Sequence, residues 1–113
     1  MGFLVAVIAR EAVVARSSVP ARTRLAAQRI GEYLTVWRKL QGLTAEQVAD
    51  RAGMSRDTLR KLEHGEVTVG FDVFLNVARV LGTLDRAVEA LDPYETDLGR
   101  ARADQALPKR VRR

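Results

Sequence analysis

Four glycines cut the middle of the chain into short pieces. Gly42, Gly53, Gly65 and Gly82 each follow a stretch in which apolar residues recur every three or four positions. Glycine ends helices well because it accepts left-handed backbone at the C-cap without a Cβ clash. A chain punctuated in this way between residues 22 and 92 is expected to fold as five helices. The first covers about 22–41, with Ile30, Leu34, Trp37 and Gln41 on one face and Leu25 and Leu40 flanking it. Pro20 is a natural boundary before it. Thr44 caps the second helix, with Gln47 three residues on as in a capping box, and Val48, Ala49 and Ala52 face inward. Ser55 caps the third, which reaches His64 and turns Leu59 and Leu62 inward. The stretch 67–74 alternates like a strand, yet Phe71, Phe74, Leu75, Ala78 and Leu81 keep helical spacing up to Gly82, so a fourth helix is expected from about Phe71. Thr83 is expected to cap a fifth, with Leu84, Val88 and Leu91 on one face and Pro93 as its stop.

The composition removes most enzyme chemistry. Among 113 residues there is no cysteine and a single histidine, His64. Thiol nucleophiles, disulfides, thiolate zinc sites and paired-histidine metal sites are therefore excluded. No glycine-rich phosphate loop occurs. The expectation is a protein that is not an enzyme and uses no cofactor and no metal. The length fits one domain, and a chain this short buries only about 60–70% of the surface it exposes when unfolded.

The net charge of +5 is unevenly spread. Residues 25–97 hold nine Lys/Arg against twelve Asp/Glu, residues 1–24 hold four against one, and residues 98–113 hold six against one. Basic ends on a slightly acidic body suit a polyanion partner through release of its counterions, and suit a solubilising tail equally well. At the start, residues 3–9 (Phe-Leu-Val-Ala-Val-Ile-Ala) form an apolar run of seven. Spanning a membrane takes about 20, and the first arginine, Arg10, follows the run where a secretory signal would have it precede. Two readings compete for the run: a segment packing on a partner, and upstream sequence included by a misplaced start. The chain divides into an N-terminal extension 1–20, a helical domain 21–92 and a basic tail 93–113.

The third helix carries the functional reading. With Leu59 and Leu62 inward, Arg56, Asp57, Arg60 and Lys61 are forced outward, with Asp57 and Lys61 one turn apart. Two short helices joined by Gly53-Met54-Ser55 then present a mostly cationic helix at the surface. A helix-turn-helix needs this, because its second helix enters the major groove with hydrogen-bonding side chains outward. An ordinary solvated helix face has the same appearance.

The stretch Leu43-Thr44-Ala45-Glu46-Gln47-Val48-Ala49-Asp50-Arg51-Ala52-Gly53-Met54-Ser55-Arg56-Asp57-Thr58-Leu59-Arg60-Lys61-Leu62-Glu63-His64-Gly65 resembles the helix-turn-helix of the Cro/phage-repressor (XRE) superfamily. The resemblance extends over about 30–91. It implies an all-α, five-helix, lambda-repressor-like DNA-binding domain in which 45–52 positions and 56–64 recognises. It also implies an internal ion pair between Arg38 and Glu63. Members often carry glutamine after the residue matching Thr44. Here Ala45 stands there, and the phosphate anchor falls to Gln47 or Thr44. Residues 91–99 and the ending 107–113 are similar to HipB-type antitoxins, which are paired with a HipA-type kinase toxin.

The implied protein is a cytoplasmic, nucleoid-associated, sequence-specific repressor. It acts as a homodimer on a palindromic double-stranded operator and serves as the antitoxin of a toxin–antitoxin pair. The expected DNA-binding residues are Thr44, Gln47, Ser55, Arg56, Asp57, Thr58, Arg60, Lys61 and His64. Arg56 and Lys61 are expected to read base edges, and Arg60, Thr44 and Ser55 to hold phosphates. Asp57 is expected to orient Arg56 or Lys61, and His64 to make a phosphate or capping contact. Two rivals stand beside this reading: a plain phage-type or autoregulatory repressor, and a protein-interaction module that no longer binds DNA.

Overall fold

The computed structural model describes residues 18–107. The run 3–9 and residues 109–113 lie outside the described residues, as do the expectations placed on them. Six α-helices follow in order: α1 Ala21–Leu40, α2 Ala45–Ala52, α3 Arg56–Glu63, α4 Phe71–Leu81, α5 Leu84–Glu89 and α6 Asp97–Ala106. A 3-10 turn, Pro93–Glu95, precedes α6, and no strand occurs among the described residues. The glycine stops fall where local chemistry put them. Gly42, Gly53, Gly65 and Gly82 have φ of 69°, 72°, 76° and 79°, the left-handed region that side chains disfavour.

Helices of eight residues are not stable alone, so α2 and α3 exist because their apolar faces are shared. α1 lies across α3 and α4, α2 packs on both α3 and α4, and α4 carries α5. The common core is Leu34, Val48, Ala49, Ala52, Leu59, Leu62, Val77 and Leu81. Leu59, Val48 and Val77 are wholly buried, each worth about 1.5–3 kcal/mol relative to exposure. At the far end of α1, Gln41 donates from Nε2 to the carbonyl of Leu81 at 2.8 Å. That bond satisfies one of the open carbonyls of α4.

Several expectations about packing are corrected. Thr83 does not cap α5 with its side chain. Its backbone N–H donates to Ala78 O at 2.8 Å and its hydroxyl to the same oxygen at 3.4 Å, so the residue closes α4 instead. The apolar face of α5 is largely uncovered, with Val88 61% and Leu91 84% exposed. α5 ends at Glu89, before Leu91, so no turn remains to fold that side chain back. Leu40 and Phe71 are exposed at helix ends, while Val77, outside the expected apolar stripe of α4, is fully buried.

The segment after Asp92 begins with structure. The Asp92 carboxylate accepts from Tyr94 N at 2.9 Å, and Thr96 Oγ1 accepts from Gly99 N at 2.9 Å, which starts α6. Arg100 is used internally, donating to Tyr94 O and to the Asp97 carboxylate.

Candidate nucleic-acid interface

Each functional side chain is placed by a local feature. The turn begins with a complete capping box at α2. Gln47 N donates to Thr44 Oγ1 at 3.1 Å, and Thr44 N donates to Gln47 Oε1 at 2.9 Å. The box occupies the acceptor of Gln47, leaving its Nε2 amide as a pure donor on an exposed residue. Gly53 turns the chain, and Ser55 caps α3 by accepting from Thr58 N at 3.1 Å, with the two hydroxyls 2.9 Å apart. Thr44, Gln47 and Ser55 thus stand exposed at the starts of the two helices. Helix N-termini point open N–H groups outward and favour anions.

Along α3, Arg56, Asp57, Arg60 and Lys61 are all exposed, and Thr58 is half-buried beside Ser55. Asp57 grips two cations at once: Arg60 Nη2 at 2.9 Å and Lys61 Nζ at 3.3 Å. Hydrogen bonds from Arg60 and then from Lys61 hold the Asp57 carboxyl below its ordinary value, and the same carboxylate pushes the Arg60 guanidinium up. The expected partnership of Asp57 with Lys61 is present, but Arg56 is not its alternative partner. Residues three and four apart share a helix face and adjacent ones do not, so Arg60 takes that place. Among the described residues Arg56 has no carboxylate within ion-pair reach. It is the cation left uncommitted on the first turn of α3.

His64 closes the other end of the helix. Its Nδ1 lies 2.7 Å from Arg60 O. A carbonyl only accepts, so Nδ1 carries the proton and the ring caps the helix. Ala45 borders a shallow cleft of about 360 Å³ whose other walls are Arg56, Asp57, Arg60 and Glu63. The short methyl at this position leaves open the space a longer polar side chain would occupy.

Behind this face, Arg38 and Glu63 join α1 to the end of α3. Arg38 Nε donates to Glu63 Oε2 at 2.8 Å and Nη2 to Oε1 at 3.2 Å, while Nη1 reaches Leu43 O at 3.1 Å. Both side chains are nearly buried, at 13% and 12% exposure. Two glycines that spacing alone did not single out for packing complete the joint. A Cβ on Gly31 would meet Glu63 O at 2.5 Å and Leu62 O at 2.6 Å, and one on Gly65 would meet the Gln28 backbone at 2.5 Å. Backbone therefore lies on backbone at the C-terminal end of α3. A glycine inside an otherwise strong helix was the available signal for Gly31.

No helix among the described residues is long and apolar enough to cross a membrane. The model of a family described as the helix-turn-helix domain matches residues 29–91. No curated protein and no solved structure matches the chain.

Proposed function

The chain belongs to the helix-turn-helix domain family, and from that premise we propose that it is a sequence-specific transcriptional repressor of the Cro/phage-repressor (XRE) type. Two copies related by a two-fold axis would each lay α3 in the major groove. The operator is then a palindrome with half-sites about 34–36 Å, or a multiple of that, apart. One observation carries the reading: Arg56 is exposed and uncommitted on the first turn of α3, directly after the Ser55 cap and on the cleft that Ala45 of α2 borders. An arginine there can grip guanine at two acceptors, worth about 1–3 kcal/mol of discrimination. Arg60, already oriented by Asp57, suits a phosphate, and Lys61 shares the base-reading role at the cost of its bond to Asp57.

The test is selection from random duplex DNA followed by mobility shift. Arg56→Ala should relax preference at one base pair per half-site, and Arg60→Ala should weaken all sequences alike. Equal losses on selected and random DNA for Arg56→Ala would remove the assignment. Failure to retain any duplex would favour the interaction module.

The finer role proposed is that of an antitoxin, with a HipA-type kinase toxin as second partner and the operon's own promoter as operator. The composition of residues 91–99 and 107–113 supports it, and co-purification of a kinase-like protein from the native host checks it. The proposed protein is cytoplasmic and nucleoid-associated, performs no catalysis and carries no cofactor.

A further inference from the structure

A second surface has no part in the DNA reading. Between the N-terminal half of α1, the end of α3 and the start of α4 lies a groove of about 350 Å³. Ala27 and Ile30 form one wall, Leu62 stands at the end of α3, and Val67, Phe71 and Phe74 form the other wall. The lining is apolar and partly open to water, since Phe71 is 72% exposed while its ring stacks on Phe74 at 6.2 Å. A contiguous apolar patch with a large aromatic at its edge offers a surface on which an apolar segment can dock.

The chain itself carries an apolar segment of matching character outside the described residues. We propose that the apolar run 3–9 docks in this groove within its own chain, bracing α1 and α4 against the end of α3. Three observations choose this occupant. Thr23, in the first turn of α1, stands on the rim of the groove, so the chain preceding α1 arrives beside it. The eleven residues from Arg10 to Pro20 reach as far as about 3.3 Å each when extended, more than enough to return the run to the rim. The volume lies at the low end of the roughly 300–1,000 Å³ typical of ligand pockets, which suits a few side chains of one segment and not a whole helix. Charge agrees as well: Glu66 is the carboxylate on the rim, and Arg10 immediately follows the run.

Amide hydrogen exchange on the full chain tests the proposal against a Val67→Asp/Phe71→Asp variant. Both positions are exposed, and an aspartate at the first residue of α4 is favoured by the helix dipole. The expected result is that amides of residues 4–9 exchange roughly tenfold or more slowly in the parent than in the variant, independently of protein concentration. Core amides such as those of Leu59 and Val77 should remain protected in both. Should the double variant lose core protection, Phe71→Asp alone supports the same comparison. Free-chain exchange of 4–9 in the parent, or protection unchanged by the variant, would overturn the proposal. Protection that fades on dilution would overturn it too, by showing that the run pairs between copies. DNA binding plays no part in this readout, so its result is independent of the repressor reading.

Discussion

Replacing Glu63 by alanine is the most informative single perturbation of this fold. The substitution removes both acceptors of a bidentate pair, at 2.8 Å and 3.2 Å, and leaves Arg38 with only the Leu43 carbonyl. Breaking a fully buried pair from one side costs about 3–5 kcal/mol, because the remaining charge is stranded. About one-eighth of each side chain still touches water here, so the expected cost is nearer ~2–3 kcal/mol. For a domain of this size each kcal/mol lowers the melting temperature by about 4–8 °C, which puts the expected drop between roughly 8 and 24 °C. The control is Glu66→Ala, an exposed residue outside the helices, where a surface change should stay within about 0.5 kcal/mol. Thermal and urea unfolding followed by far-ultraviolet circular dichroism measure both. Arg38→Met/Glu63→Leu should recover much of the loss, since a matched apolar pair strands no charge. Indistinguishable midpoints for Glu63→Ala and Glu66→Ala would refute the claim that the pair holds α1 to α3.

Gly31→Ala should destabilise by about 1–3 kcal/mol or more through overlap with the Leu62 and Glu63 carbonyls. Gly42→Ala, whose Cβ would meet open space, should cost only the left-handed strain of about 1–2 kcal/mol; a reversed order in urea denaturation would count against the backbone contact. Asp57 should titrate below its ordinary 3.8 when its side-chain carbon is followed by nuclear magnetic resonance. Its depressed value in the folded state means that the clamp's contribution is present above the unfolded value and lost as pH falls through the folded one. Asp57→Asn should abolish that dependence, and a midpoint at or above 3.8 would contradict the geometry. Deleting residues 109–113 removes four cations. If they meet duplex phosphates, the slope of log affinity against log salt shrinks by as much as about 3.6. A truncated protein with an unchanged slope, and unchanged co-purification of the proposed toxin, would show the tail to be idle.

What could be read from the residues alone was governed by distance along the chain. The box at Thr44 and Gln47, the cap at Ser55 and the four glycine stops each join groups a few residues apart, so the pattern contains the geometry. Spacing within α3 likewise placed Leu59 and Leu62 inward and the polar residues outward. The misses are tertiary or depend on competition between neighbours. Thr83 has the side chain of a cap, but the closing turn of α4 claimed it. Leu91 fits the apolar period of α5, yet the helix ends first. Gly31 looks like a flaw in a helix until the carbonyls of another helix are laid against it. The pairing of Asp57 with Arg60 in place of Arg56 follows from a spacing of three, since adjacent residues on a helix do not share a face.

The backbone-to-backbone fastening of α3 lies at its C-terminal end, while its first turn is held through the buried Leu59 side chain, so the helix can act as a short lever. Eight residues span about 12 Å, and the close contacts with Gly31, Gly65 and Arg38 all lie at the C-terminal end. A tilt of about 5° there would carry the first turn sideways by about 1 Å, which exceeds the roughly 0.5 Å width of a good hydrogen bond's distance range. Changes at the bare backbone crossing would therefore be felt at Arg56, although no atom near Arg56 had changed. On the proposed reading, which base is chosen depends on the first turn, and how sharply it is chosen depends on the joint at the other end.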